Sequence, residues 1–180
     1  MALKSTIYNF DIVLSDVDRG VYESLKCGVA MHPSETAEFM AVRVLAYCLE
    51  YEEGLSFSKG LSDGDEPALW MKYLDGRIKS WIEVGAPTAA RLHRASKLAE
   101  RVAIYTHKPP AALIGRLAGE LIHRGDEIPV YSFDQTFLRQ LSSLIERRNT
   151  LNISVNERQL YLDIRGTSLF SAIAEQIAAP

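Results

Sequence analysis

The segment from Leu69 to Arg101 constrains the fold most, because it predicts two paired strands followed directly by a helix. Asp75-Gly76, between two apolar runs, is a strong two-residue hairpin signal, since both residue types tolerate positive φ. The runs Leu69 to Leu74 and Ile78 to Gly85 are therefore predicted as antiparallel neighbours. A helix from Thr88 to Arg101 should follow, with one apolar side and a basic stripe formed by Arg91, Arg94, Lys97 and Arg101.

The residues around this segment predict further helices and strands. Ser34 is the predicted N-cap of a helix that stops before Gly54, and Leu55 to Ser58 is a short strand. Val102 to Thr106 is continuously apolar, as is typical of a strand covered on both faces. Downstream we predict the helix Pro109 to Arg124, the strand Ile128 to Phe133, and a helix from Asp134 to about Arg148. The order helix, strand, strand, strand, helix, strand predicts an α/β fold with a mixed sheet and flanking helices.

Both chain ends predict strands, because apolar residues there alternate with polar ones at period two. Tyr8 to Leu14 and Val21 to Met31 form a predicted antiparallel hairpin, and Leu151 to Ile164 forms another. Ser168 to Ile177 fits either a last strand or a short helix. We expect the hairpins from both ends to extend the structure with antiparallel sheet. No repeat, low-complexity tract or linker divides the chain, so residues 1–180 are predicted as a single domain.

Composition sets broad limits on function. The 180 residues are 47% hydrophobic and 24% charged, which is typical of a soluble globular protein. The formal charge of −3 argues mildly against a nucleic-acid partner, because such proteins usually carry a basic surplus. Cys27 and Cys48 have apolar neighbours and are predicted as buried thiols outside disulfides. With no signal-peptide pattern and no apolar run of about 20 residues, we expect a cytoplasmic, bacterial-type protein without a membrane partner.

Three acidic residues suggest a site for a hard cation. Glu83 lies within the apolar strand, and a buried carboxylate there needs a partner: a metal ion, a basic side chain or a backbone amide. Asp65 and Glu66 precede the hairpin, and its two ends should bring them close to Glu83. Carboxylates that share a site are ligands suited to Mg²⁺, which lowers the pKa of a bound water and neutralises phosphate charge. The alternative is that Asp65 and Glu66 are solvated loop residues.

The basic stripe and a further acid also have two interpretations each. Arg91, Arg94 and Lys97 would hold phosphate oxygens, or they form a solvated helix face that supports the nearby acids. In the second case Glu83 forms a structural ion pair with Arg94 or Lys97. Glu35 is a further candidate carboxylate if its helix begins over the site, or it complements the helix dipole.

Several blocks of sequence, taken in order, resemble the YaeQ family of small bacterial proteins over nearly the whole chain: MALKSTIY, HPSET, GLSDGDEPALW, WIEVGAP and RASK followed by VAIYTH. The resemblance implies a restriction-endonuclease-like fold and a variant PD-(D/E)XK nuclease motif, in which an Asp precedes a strand bearing Glu-x-Lys. Under this resemblance Asp65 or Glu66 is the first acid and Glu83 is the second. Glu35 stands for the first-helix acid that some nucleases of this fold use.

Position 85 departs from the motif, because Gly85 stands where the resemblance implies a lysine. Arg94 or Lys97, on the next helix, would then supply a positive charge from another direction. An arginine cannot lose a proton to act as a base, so this departure bears directly on catalysis. The resemblance implies a fold and a motif rather than one activity.

Two functions follow as hypotheses. The first is a metal-dependent nuclease or phosphodiesterase in which Arg94 or Lys97 stabilises charge at phosphorus, and in which Mg²⁺ is held by Asp65, Glu66, Glu83 and Glu35. The second is a catalytically inactive nuclease-like fold that serves as a protein or nucleic-acid interaction module. The missing lysine and the net negative charge favour the second.

Overall fold

The computed structural model describes residues 4–59 and 64–180. The chain divides into two compact units, Met1–Val44 with Phe133–Ala174 and Leu45–Ser132 with Glu175–Pro180, which we describe separately. The single domain expected over residues 1–180 stays a prediction. None of the helices in the described ranges is long and apolar enough to cross a membrane.

Helices and strands fill most of the described chain, and the prediction of a mixed α/β fold is confirmed. In order they are β1 (Thr6–Asp16), β2 (Val21–Met31), α1 (Ala37–Leu49), β3 (Ser56–Phe57), β4 (Leu69–Lys72), β5 (Ile78–Val84), α2 (Ala89–Leu98), β6 (Ala99–Thr106), α3 (Ala111–Leu117), β7 (Pro129–Ser132), α4 (Gln135–Leu144), β8 (Arg148–Asn156), β9 (Gln159–Ile164), β10 (Thr167–Ala172) and β11 (Ala174–Ile177).

The first unit is built on a sheet with the strand order β10-β9-β8-β1-β2. Both predicted terminal hairpins are present, since β1 pairs antiparallel with β2, and β8 pairs antiparallel with β9. They share one sheet because β1 also pairs in parallel with β8, so the sheet is mixed rather than purely antiparallel. One face is apolar and buried, with Phe10 and Ile153 each 2% exposed, and α4 contacts β10. The segment left open in the sequence, Ser168 to Ile177, lies in strands.

The second unit is built on a sheet with the strand order β11-β7-β6-β5-β4-β3. Strands β3, β4 and β5 are antiparallel neighbours, whereas β5, β6 and β7 are parallel. The predicted hairpin is present, but its loop has three residues, because the amide of Tyr73 donates to the carbonyl of Arg77 at 2.8 Å. Gly76 alone in this loop has a positive φ, +88°. A two-residue turn of the predicted type needs positive φ at both positions.

Helix α2 connects the parallel strands β5 and β6, so it must run back along the sheet. Its first turn therefore lies beside the carboxyl end of β5. The hydroxyl of Thr88 caps the helix by accepting from the amide of Arg91. The apolar side of α2 enters the core, where Leu92 and Ala95 are fully buried and pack with Trp81 and Ile104. This packing fixes which face of α2 is left for polar contacts.

Two predicted helix starts have different outcomes. The predicted N-cap Ser34 is wrong, because α1 begins at Ala37 and the hydroxyl of Thr36 accepts from the amide of Phe39 at 3.1 Å. The hydroxyl of Ser34 is instead hydrogen-bonded to the ring of His32. The predicted cap at Asp134 is confirmed, since its carboxylate accepts from the amide of Thr136 at 2.7 Å.

Three predicted helices were too long. Helix α2 ends at Leu98, so Arg101 lies on strand β6 rather than on the basic stripe. The helix predicted to continue to Arg124 ends at Leu117, and Gly119 then has a φ of +78°. Helix α4 ends at Leu144, four residues before β8 begins. Apolar spacing alone does not separate a helix end from a strand start when both are amphipathic.

Candidate active site around Glu83

Glu83 is the predicted strand acid, and it is buried in the second unit with only 5% of its surface exposed. Its Oε1 accepts a hydrogen bond from Nε1 of Trp81 at 2.7 Å and another from Nε of Arg91 at 2.5 Å. Trp81 and Glu83 share a face of β5, as the strand alternation predicted. The expected ion-pair partner was Arg94 or Lys97, and the structure has Arg91 instead.

Arg91 donates hydrogen bonds to three oxygen atoms on separate parts of the chain. Besides the Glu83 carboxylate, it donates from Nη1 to the carbonyl of Gly64 and from Nη2 to the carbonyl of Glu66, the latter at 2.6 Å. Its guanidinium carbon lies 5.9 Å from the centre of a Trp81 ring. The guanidinium therefore joins strand β5 to the segment 64–66.

The sequence analysis named Arg91 as part of the basic stripe but not as the partner of Glu83, although a signal for that pairing was present. Thr88 is a good N-cap, and a helix that starts there must pass its first turn beside the end of β5. Arg91 lies in that first turn, whereas Arg94 lies one turn further on and Lys97 a second. The order of cap, helix and strand thus favours Arg91 as the partner of Glu83.

The other predicted site residues of this unit make different contacts. Nη1 of Arg94 lies 2.8 Å from Oδ1 of Asp65, and both side chains are mostly exposed. Oε2 of Glu66 accepts from the amide of Lys59 at 3.1 Å. Lys97 is exposed and lines a different cleft of about 340 Å³, together with Arg77 and His123. The structure thus links Glu83 through Arg91 to the backbone of the segment 64–66, whereas the carboxylates of Asp65 and Glu66 have other partners and Lys97 lines another cleft.

A pocket of about 350 Å³ opens between the segment 64–65 and the start of α2. Residues 60–63, which belong to the block GLSDGDEPALW, lie outside the described residues. The pocket combines an aromatic ring, a helix cap and two guanidinium groups, and its lining is Gly64, Asp65, Trp81, Thr88, Ala90, Arg91 and Arg94. Guanidinium groups are suited to phosphate, and here each is paired with a carboxylate, Arg91 with Glu83 and Arg94 with Asp65.

Glu35, the further predicted carboxylate, belongs to the first unit. Its Oε2 lies 2.7 Å from Nη2 of Arg43, and both side chains are almost fully buried. The same nitrogen of Arg43 donates to the carbonyl of Ala30. Burial raises the pKa of the Glu35 carboxyl, and the charge of Arg43 opposes that effect. Within its own unit Glu35 is one half of a buried ion pair.

The oxygen atoms that accept from Arg91 are of the kinds that divalent cations also bind. Mg²⁺ and Ca²⁺ prefer carboxylate and carbonyl oxygens, and Arg91 draws together one carboxylate and two carbonyls of this kind. The Asp65 carboxylate adjoins the same segment. In residues 4–59 and 64–180, no group of three or more His, Cys, Asp or Glu side chains is placed to hold a metal ion. A cation at this position would therefore take main-chain oxygens as well as Glu83.

The backbone explains why no lysine follows Glu83 at the end of the strand. Gly85 is buried and has a φ of +101°, a conformation that L side chains rarely adopt. Its amide still donates to the carbonyl of Tyr105 at 2.9 Å, so the chain keeps its bond to β6 while it turns toward α2. Any residue with a Cβ would strain this turn.

Fold and site together define the class of protein: a mixed α/β protein in which a buried strand acid meets the basic face of the following helix. The sequence model of the YaeQ protein family matches residues 1–172, and the chain belongs to this family. The family prediction is thereby confirmed.

Similar proteins agree over most of the chain. The "Uncharacterized protein YaeQ" of Salmonella typhi is 34% identical over 163 residues, and that of Escherichia coli K12 is 32% identical over 163, with 90% of both chains covered in each case. The crystal structure of YaeQ protein from Pseudomonas syringae has a TM-score of 0.86 at 36% identity, with 95% of both chains covered. That of YaeQ protein from Xanthomonas axonopodis pv. citri has a TM-score of 0.84 at 26% identity, covering 98% of this chain and 99% of the other.

Proposed function

We propose that this protein is a metal-dependent phosphodiesterase that acts on nucleic acid, with a restriction-endonuclease-like fold and Glu83 at the centre of its site. The observation that carries the proposal is that Arg91, which lines the pocket, bonds both the Glu83 carboxylate and the carbonyl of Glu66. The sheet of the second unit supports the fold assignment, because an antiparallel hairpin is followed by a helix and a parallel strand, in the order the resemblance implies.

In this proposal the residues have separate tasks. Glu83, the carbonyls of Gly64 and Glu66, and the Asp65 carboxylate would hold Mg²⁺. When bound, the cation supplies Lewis acidity toward a phosphate oxygen and lowers the pKa of a coordinated water. Arg94 lies at the pocket and would stabilise negative charge on the non-bridging phosphate oxygens.

The aromatic and main-chain groups of the pocket would position the substrate. Trp81 lines the pocket and offers an apolar surface beside the phosphate position. The amides at the start of α2 carry the partial positive charge of a helix N-terminus, which favours an anion there. Because arginine keeps its proton, Arg91 and Arg94 are assigned to charge stabilisation and not to proton transfer.

The test is cleavage of single- and double-stranded DNA and RNA with Mg²⁺ or Mn²⁺. We expect Glu83→Gln to lose activity and Arg94→Met to lose part of it. Lys97→Met should leave activity unchanged, because Lys97 lines the other cleft. Comparison with Arg94→Met therefore shows which of the two residues named from the sequence supplies the positive charge. Arg77→Met is the matched control, because it removes an exposed arginine that pairs with Asp75 on the hairpin. Equal activity of the wild type and Glu83→Gln would refute the proposal.

A second candidate function is an interaction module for nucleic acid or protein. It is favoured by one specific contact, the ion pair in which Arg91 already neutralises Glu83. This candidate predicts that a labelled oligonucleotide or a protein partner binds equally well in EDTA and in Mg²⁺. If nucleic acid is the partner, affinity should fall steeply with salt, because bound phosphates release counterions. Binding in EDTA without cleavage in Mg²⁺ would favour it over the phosphodiesterase.

A further inference from the structure

We propose that Trp70 and Lys72 form a binding site for single-stranded nucleic acid, in which the indole of Trp70 stacks on an unpaired base and the ammonium of Lys72 binds a neighbouring phosphate. The inference rests on the proposed function for the kind of ligand and adds the strandedness of the substrate. It needs no metal ion. Trp70 and Lys72 share one face of β4, because side chains two residues apart in a strand point to the same side.

Aromatic rings and cationic groups are consecutive neighbours on this face of the hairpin. The ammonium nitrogen of Lys72 lies 3.7 Å from the centre of the Trp70 ring, and the ring centres of Trp70 and Trp81 are 6.3 Å apart, edge to face. The guanidinium carbon of Arg91 lies 5.9 Å from the centre of a Trp81 ring. Trp70 pairs with Trp81 across the two strands, so it adjoins a residue that lines the pocket. Aromatic rings interleaved with cations are typical of surfaces that bind single strands, where bases stack and phosphates meet positive charge.

Trp70 is the ring of this face that a base can reach. Trp81 is only 3% exposed, whereas Trp70 lies at the rim of the hydrophobic core and is partly exposed. The strand on its outer side, β3, has only two residues, and the one that pairs with Trp70 is the exposed Ser56. A serine side chain is too small to cover an indole, so part of the Trp70 ring stays open to solvent.

Lys72 now occupies a face of the ring, and it is placed so that a base can displace it. Its side chain is exposed, and among residues 4–59 and 64–180 it forms no ion pair. A cation–π contact at an exposed site is weaker than the stacking of a base on an aromatic ring. A base therefore replaces the ammonium on the ring, and the flexible lysine chain keeps the ammonium within reach of a phosphate beside that base. Arg91 and Arg94 each have a carboxylate partner already, so the charge of Lys72 is the more available one.

Stacking on Trp70 distinguishes single strands from duplexes. In a duplex each base is stacked between its neighbours and leaves no face for the indole, whereas an unpaired base can be splayed out onto the ring. Every base has a π-face, so the site should accept different sequences. We therefore expect single-stranded DNA or RNA to bind more tightly than a duplex of the same length.

The experiment measures the fluorescence anisotropy of a short labelled single strand, and of the matching duplex, with the full-length protein in EDTA, so that nothing is cleaved. We expect the wild type to prefer the single strand, and Trp70→Leu to weaken single-strand binding by about fivefold or more. Trp70→Phe keeps an aromatic ring and should lose less. Lys72→Met should reduce the slope of log affinity against log salt concentration by about 0.7, the value for one phosphate contact on a single strand, whereas Trp70→Leu leaves this slope unchanged.

Two variants in the first unit are matched controls. Phe170→Leu removes another exposed aromatic ring, and Lys26→Met removes another exposed ammonium, and both should bind the single strand as the wild type does. If Trp70→Leu does not fold, the salt slope of Lys72→Met decides, because Lys72 is exposed and its loss leaves the core intact. The inference is overturned if the wild type does not prefer the single strand, if Trp70→Phe loses as much affinity as Trp70→Leu, or if the variants at both positions behave like the controls.

The same proteins separate this inference from the proposed function. Binding in EDTA that depends on Trp70 and Lys72, with no cleavage in Mg²⁺ or Mn²⁺, supports the binding site and refutes the phosphodiesterase. Cleavage that depends on Glu83, with single-strand affinity unchanged in Trp70→Leu and Lys72→Met, supports the phosphodiesterase and refutes the binding site.

Discussion

The contact between Glu83 and Arg91 should stabilise the protein, and we expect the loss of Arg91 to cost more than the loss of the charge on Glu83. Arg91→Met leaves a buried carboxylate without its cation and removes two bonds to main-chain carbonyls. Breaking a fully buried pair costs about 3–5 kcal/mol. Because Arg91 is 28% exposed, solvent partly compensates the carboxylate, and we expect a loss of about 2–3 kcal/mol in the free energy of unfolding.

Glu83→Gln should cost less than Arg91→Met. The amide oxygen still accepts from Trp81 and Arg91. A hydrogen bond to a charged group contributes roughly 1.5–3 kcal/mol to stability and a neutral one roughly 0.5–1.5 kcal/mol, so these bonds become weaker when the charge of Glu83 is removed. We therefore expect a loss of about 1 kcal/mol for Glu83→Gln, and a double variant less destabilised than the sum by about 1 kcal/mol or more.

The assay is urea unfolding followed by tryptophan fluorescence, because Trp70 and Trp81 both lie in the second unit. The Asp65–Arg94 pair is the matched control, since its side chains are 75% and 61% exposed and should couple by less than about 0.5 kcal/mol. Additive effects of the Glu83 and Arg91 substitutions, or a coupling no larger than that of the control pair, would contradict this interpretation of the pair.

Three further predictions concern other parts of the chain. Gly85→Lys should restore the lysine of the motif yet lower the free energy of unfolding by about 1–3 kcal/mol in a urea titration, because φ is +101° there. Burial, with Glu50 beside it, raises the pKa of Tyr105 well above 10.0, so the unfolded protein loses this proton first. Stability should therefore fall as the pH rises above about 10, and less so in Tyr105→Phe. Burial and the charge of Asp11 raise the pKa of Cys27 to about 11, so alkylation of Cys27 in the folded protein should be slow at pH 8 and accelerate toward pH 11.

Most elements of the fold could be predicted because their sequences carry local signals. Strand alternation predicted the pairing of β1 with β2, and the Asp75-Gly76 turn predicted the pairing of β4 with β5. The parallel pairing of β1 with β8 could not be predicted, since it joins residues about 140 positions apart and no local pattern encodes it. The predicted helix boundaries were wrong where the sequence carries a plausible signal that the structure does not use. Ser34 is such a signal at a helix start, and apolar runs that continue past the helix are such signals at helix ends.

The sequence suggested most residues of the candidate site, but it did not predict which of them contact one another. Glu83 and Asp65 were selected because acids at the two ends of a hairpin should meet, and Arg91 now links the strand acid to the segment beside Asp65. Arg91 was named only as part of the basic stripe and not as the partner of Glu83, because helical spacing alone treats Arg91, Arg94 and Lys97 as equivalent. These three residues lie on successive turns of α2, so each is one turn further from the end of β5 than the one before. Only the position of the N-cap at Thr88 determines which of them lies nearest to β5.

The most direct test of the proposed site is anomalous diffraction from crystals of the wild type soaked in Mn²⁺. We predict an anomalous peak at bonding distance from the Glu83 carboxylate and the carbonyl of Glu66. No peak near Glu83 at saturating Mn²⁺ would contradict the proposed site.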